Sequence, residues 1–71
     1  LSYIYVYQPP RSQGFGPELI QRLAKIAQEN DCTHLAWNAD ARNIRGLRFY
    51  DRLGAEITEQ HGNRCFLRWV P

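Results

Sequence analysis

The chain has little of what marks several large classes of protein. Only two cysteines, Cys32 and Cys65, occur in 71 residues, so at most one bridge can form and no secreted disulfide framework is visible. His34 and His61 stand far apart, and no His/Cys cluster has the spacing of a zinc site. No metal is therefore assigned. No apolar run approaches the roughly 20 residues of a membrane span, and no signal-peptide pattern is visible. The expected compartment is the cytoplasm, with reduced thiols and no membrane contact. Charge of one sign is scarce as well. Nine basic against seven acidic residues leave a net +2, too mild to argue for nucleic acid. There is no repeat, linker or low-complexity stretch, so residues 1–71 read as one unit.

What remains is the composition of a folded chain, 44% hydrophobic and 13% aromatic. A domain this short buries only about 60% of the surface its unfolded form exposes, so it needs a staple or a partner. Residues 1–7, LSYIYVY, are aromatic and β-branched and predict a strand covered on both faces. Pro9 and Pro10 end it, since neither can donate a ladder bond. Leu19, Ile20, Leu23, Ala24, Ile26 and Ala27 follow a 3.6-residue period. They predict a helix opening at Pro17 and stopping at a left-handed Asn30. A strand is expected over 33–38. Asn43 caps a second helix, IRGLRFYDRL, closed by Gly54. Its expected buried stripe is Ile44, Leu47 and Leu53, flanked by Phe49 and Tyr50. Strands over 55–60 and 64–70 flank His61-Gly62-Asn63 as a hairpin. The order β-α-β-α-β-β predicts an α/β fold with a mixed sheet, a parallel pair followed by an antiparallel hairpin.

Gly14 and Gly16 sit where the first strand hands over to the first helix. Glycine lets backbone N–H groups approach a ligand closely, and a helix N-terminus suits phosphate. Arg11 adds a charge for the same ligand. Alone, Gly-x-Gly reads better as a plain turn with two flexible residues. It lacks the third glycine of a dinucleotide fingerprint and the Gly-Lys-Ser/Thr of a P-loop.

The context adds to it. Arg-x-x-Gly-x-Gly from Arg11 to Gly16, after an aromatic strand and before an amphipathic helix, resembles motif A of the GNAT family of N-acetyltransferases. NIRGLRFYDRLGA, from Asn43 to Ala55, resembles the family's motif B: Asn, a small residue three on, Phe-Tyr, then Leu-Gly-Ala. The resemblance covers essentially the whole chain and implies the C-terminal half of a GNAT domain over 1–71. It implies acetyl-CoA (coenzyme A) as cofactor, lying in a notch where two parallel strands, 1–7 and 33–38 here, splay apart. Ile4, Tyr5 and Val6 would supply backbone bonds to the pantetheine arm. Ser12, Gln13, Gly14, Phe15 and Gly16, with Arg11, would hold the pyrophosphate. Asn43 matches the residue that touches the cofactor from the next loop. Tyr50 matches the tyrosine that protonates the departing thiolate. A tyrosine keeps its proton at neutral pH, which suits a general acid; at helical spacing alone Tyr50 reads as core. Phe49, Trp37 and Trp69 read as packing. Pro17 departs from the family's usual residue and removes an N–H near the phosphates, so weaker cofactor binding is expected.

The family's first strands and helices have no counterpart in 1–71. The outer edge of the first strand therefore invites another chain. The expected partner is a homodimer, strand exchange being its sharper form, or an N-terminal half in a longer parent. The acceptor would be a small-molecule or peptide primary amine. Trp37, Asn38 and the Gly62–Phe66 segment slightly resemble the small-amine branch of the family, which includes polyamine and thialysine acetyltransferases. No catalytic base is assigned. Asp40 reads as a turn residue making local bonds rather than as the base, His34 as structural, and Cys65 as a small buried residue.

Three functions follow. The first is acyl transfer from acetyl-CoA to a primary amine, with Tyr50 as general acid. The second is a truncated, inactive module that binds coenzyme A or dimerises. The third is nucleic-acid binding through Arg42, Arg45, Arg48 and Arg52, which approximate one helix face; mild charge and no stacking platform make a solvated face the better reading.

Overall fold

A computed structural model describes residues 2–7 and 16–71. Its elements run β1 (Ile4–Val6), α1 (Pro17–Glu29), β2 (Leu35–Asp40), α2 (Ile44–Leu53), β3 (Glu56–His61) and β4 (Arg64–Trp69). The strands form one sheet in the order β1-β2-β4-β3. β1 is parallel to β2, and the other pairings are antiparallel. This is the mixed α/β sheet with a C-terminal hairpin that the element order predicts.

The parallel ladder is short. Ile4 pairs with Leu35, Tyr5 with Ala36 and Val6 with Trp37. β2 then continues through Asn38 to Asp40, paired with Phe66 to Arg64 of β4. The expected strand over 1–7 thus contracts to three residues, and the one over 33–38 slides toward its C-terminal end. Propensity marks where a chain can extend; a strand exists only where a partner pairs with it.

Alternation divides the sheet into two faces. Leu35, Trp37 and Ala39 of β2 and Cys65 and Leu67 of β4 are buried with Ile20, Ala24 and Ala27 of α1 and Tyr50 of α2. Ile4 and Val6 pack against the rim of that core. The other face carries Tyr5, which is 48% exposed, so β1 is covered on one face and not on two. The helix stripes were also broader in expectation than in fact. Leu19 and Ile26 lie outside the buried line of α1, and Ile44 is 56% exposed, its place in the core taken by Tyr50. Periodicity assigns apolar residues to one broad side; only a narrower arc touches the sheet.

Each helix ends by a device legible in its bonds. At α1 the left-handed residue is Asp31 (φ 55°), one position beyond Asn30, whose φ is −107°. The Cys32 N–H donates to the Ala27 carbonyl and the Asp31 N–H to that of Gln28, which is a Schellman closure. At α2 the left-handed residue is Gly54 (φ 97°), with Ala55 N–H donating to the Tyr50 carbonyl at 3.0 Å. The Trp69 indole adds a bond to the Leu53 carbonyl at 3.1 Å. These two bonds anchor the C-terminal turn of α2, and with it the backbone of Tyr50.

Candidate active site

Helix α2 sets the position of Tyr50. Its N-cap is Asn43, whose Oδ1 accepts from the Gly46 N–H at 3.1 Å. A Cβ on residue 46 would stand 2.5 Å from the Asn43 side chain. The small residue three positions after Asn43 is therefore what lets the cap fold over the first turn. Further along the helix, Tyr50 is buried and meets Trp37 edge to face, with ring centroids 5.3 Å apart and planes at 74°. Phe49 packs edge to face on Tyr50 from the same helix. Burial pushes the Tyr50 phenol above its ordinary pKa, and the nearby Trp37 indole opposes this in part. Tyr50 thus keeps its proton at neutral pH.

Trp37 is the last residue of β2 paired with β1. Beyond it, among the described residues, Asn38 to Asp40 have a strand partner only on the β4 side. The parallel strands therefore stop pairing at the strand residue that supports Tyr50. On the opposite face of this point sits Asn38, 4% exposed. Its Nδ2 donates to the Tyr5 hydroxyl at 3.4 Å, and its Oδ1 accepts from Arg64 at 3.3 Å. Sequence reasoning gave Tyr5 a backbone role only and did not anticipate this side-chain link. The sequence carries no local signal for it, because the placing of Tyr5 beside Asn38 depends on the register between β1 and β2.

Asp40 is taken up locally. Its carboxylate accepts from the Arg42 backbone N–H at 2.8 Å, from Arg42 Nε at 3.0 Å and from Arg42 Nη2 at 2.7 Å. These side-chain bonds, then the backbone bond, hold the carboxyl well below the usual carboxylate range, with the charges of Arg42 and Arg64 adding to them. A carboxylate so stabilised accepts protons poorly at neutral pH, in line with its reading as a turn residue. His34 precedes β2, stacks on Tyr3 at 4.6 Å and shares a hydrogen bond with Thr33. Cys32 and Cys65 are free thiols. Arg45, Arg48 and Arg52 are exposed along α2.

The proposed site residues fall into two groups. Ile4, Tyr5, Val6, Gly16, Asn43 and Tyr50 are described. Ile4, Tyr5 and Val6 lie in the ladder, where the Ile4 N–H is used on the His34 carbonyl at 3.2 Å. Gly16 is the extended residue before α1, whose carbonyl accepts from Leu19. Arg11, Ser12, Gln13, Gly14 and Phe15 lie outside the described residues.

Comparison with known proteins meets this geometry. The model of the acetyltransferase (GNAT) family matches residues 1–55. The chain belongs to the GNAT family. The GNAT chain is also 36% identical over 67 residues to a thialysine N-epsilon-acetyltransferase of Bos taurus. That alignment covers 93% of the chain and 39% of the relative, so the chain spans about two fifths of the length of the relative it matches. No solved structure matches. Within the GNAT chain, the family match takes in β1, α1, β2 and α2, ending one residue past the Gly54 closure.

Proposed function

We propose that the chain is the cofactor-holding part of an acetyl-CoA-dependent N-acetyltransferase. It would transfer an acetyl group to a primary amine by direct attack, with Tyr50 as general acid. The observation that carries this reading is the buried, protonated Tyr50, held against Trp37 where β1 and β2 stop pairing. Acetyl-CoA would supply an activated acyl group on a sulfur leaving group. Ile4, Tyr5 and Val6 would form the β1 wall of the notch. Arg11, Ser12, Gln13, Gly14, Phe15 and Gly16 would hold the phosphates, and Asn43 would border the notch from the start of α2.

The chain's own chemistry is simple in this reading. The β1 and β2 residues would hold the cofactor so that the Tyr50 hydroxyl could give its proton to the departing thiolate. Asp40 makes a poor base, because its bonds to Arg42 hold its carboxyl well below the usual carboxylate range and weaken its hold on a proton. The acceptor is an amine such as the Nε of thialysine, the group in the bovine relative's name. The free edge of β1 and the tyrosine face are where a second copy, or an N-terminal half, would complete the sheet.

The Tyr50→Phe variant tests the reading. Removing a general acid costs about 10²–10⁴-fold in rate. Amine acetylation should fall by at least the lower figure, while calorimetric titration with coenzyme A is unchanged. Turnover retained in the variant would sink the assignment. The alternative is a module that binds coenzyme A or dimerises without turnover. Saturable coenzyme A binding with no acetylation of any amine by the unmodified chain would select it.

A further inference from the structure

Outside the roles already assigned, the described residues hold one buried side-chain polar atom without a hydrogen-bond partner, the Nε1 of Trp37. Trp37 has no exposed surface. A buried indole N–H without an acceptor is costly, and tryptophan in a core usually finds one. Here the indole ring meets the Tyr50 ring edge to face, with centroids 5.3 Å apart, and its N–H makes no hydrogen bond in the resting structure. The cost makes sense if the acceptor becomes strong during the reaction.

We propose that Trp37 is the positioning residue for Tyr50, its indole N–H hydrogen-bonding the phenol oxygen as that oxygen loses its proton. The inference rests on Tyr50 being the general acid. In that step the amine nitrogen would bond to the acetyl carbon, the C–S bond would break with its electron pair going to sulfur, the Tyr50 Oη proton would pass to sulfur, and the amine would shed its own proton to solvent. The phenol oxygen is left with negative charge in a dry core. A donor aimed at that charge stabilises it far more than it stabilises neutral phenol. Among the described residues, Trp37 is the one side chain that acts on the Tyr50 phenol. The buried residues of the core are Ile20, Ala24 and Ala27 from α1, Leu35 and Ala39 from β2, and Cys65 and Leu67 from β4. Cys65 is the one titratable group among these, and neither it nor any charged side chain contributes to the shift at Tyr50. Phe49, beside Tyr50 on α2, carries no donor.

The experiment follows each tyrosine through an alkaline titration by NMR, with the ring Cζ labelled and Tyr50 assigned from Tyr50→Phe. In Trp37→Phe the Tyr50 midpoint should move to higher pH, and kcat should fall about tenfold or more. The alkaline limb of the kcat profile should move up with the midpoint. An unmoved midpoint in a folded variant overturns the proposal. Should Trp37→Phe fail to fold, the unmodified chain still decides: the Trp37 indole proton should shift downfield as Tyr50 ionises, and no shift refutes the contact. The two readings separate cleanly. If Tyr50→Phe keeps full turnover, the general-acid assignment fails, whereas the midpoint and the indole shift report the Trp37 contact regardless of turnover.

Discussion

On one face of the sheet Leu35, Trp37, Ala39, Cys65 and Leu67 are buried under two helices; on the other, Tyr5 stands half in solvent, with Tyr3 and Tyr7 exposed beside it. The covered face is uniform in chemistry, and its polar exception is the Trp37 indole. The other face is mixed, with tyrosines, Asn38, Asp40, Arg64 and Phe66 across three strands. Even so, Asn38 on that face is almost fully buried, screened by Tyr5 and Arg64, to which it is bonded. Apolar burial is thus concentrated on one side of a sheet four strands wide, and polar side chains on the other. The difference teaches that a strand can serve two roles at once, since successive residues never share a face.

The largest test of that contrast is a matched pair. Leu35→Ala should lose about 2–5 kcal/mol in urea denaturation, a large part of what a domain this size has. Tyr7→Ser should stay within about 0.5 kcal/mol. Equal losses would mean that the tyrosine face is covered by a partner in the working protein. A finer test lies at the first turn of α2. Asn43→Ala should cost about 1 kcal/mol through loss of the cap. Gly46→Ala should be close to neutral, because a helix gain of about 1 kcal/mol is offset by the displaced Asn43 side chain. Placed on Asn43→Ala, the same Gly46→Ala should become stabilising. An identical effect in the two backgrounds would show that Asn43 and Gly46 are uncoupled.

The smallest expected effect is Asp40→Asn. Arg42 lowers the folded pKa of Asp40, so its contribution is present above the unfolded value, near 3.8, and fades as pH falls below it. The melting temperature of Asp40→Asn should lie slightly below that of the parent at pH 7, and the gap should narrow below about pH 4. A gap that widens in acid would reverse the sign of the pairing.

Much of this was legible in the residues. The second helix runs from its Asn43 cap to its Gly54 closure as read, because both ends are fixed by local chemistry within a turn. The hairpin is equally local, with Gly62 at positive φ in its turn. The extent of β1 and β2 was not legible, because ladder length depends on a partner distant in sequence. Ile44 and Tyr50 exchanged their expected burial for a related reason: helical spacing places them on neighbouring arcs, and only the tertiary contact with Trp37 chooses between them. Of the site, the tyrosine and the capping asparagine could be read from their motif. The bond from Asn38 to Tyr5 and the unpaired indole of Trp37 could not, since neither depends on local sequence.

The sheet order also has a kinetic consequence. β4 lies between β2 and β3, so its pairing with β3 closes only the Gly62-Asn63 turn, while its pairing with β2 must enclose all of α2 and β3. Longer loops cost more entropy to close, and non-local pairings form later. The topology predicts that the hairpin zips first as a unit, before it docks on β2 and before β1 pairs with β2 around α1. Because β2 carries Trp37, and Trp37 pairs with both Val6 of β1 and Leu67 of β4, these two later steps together assemble the core behind Tyr50.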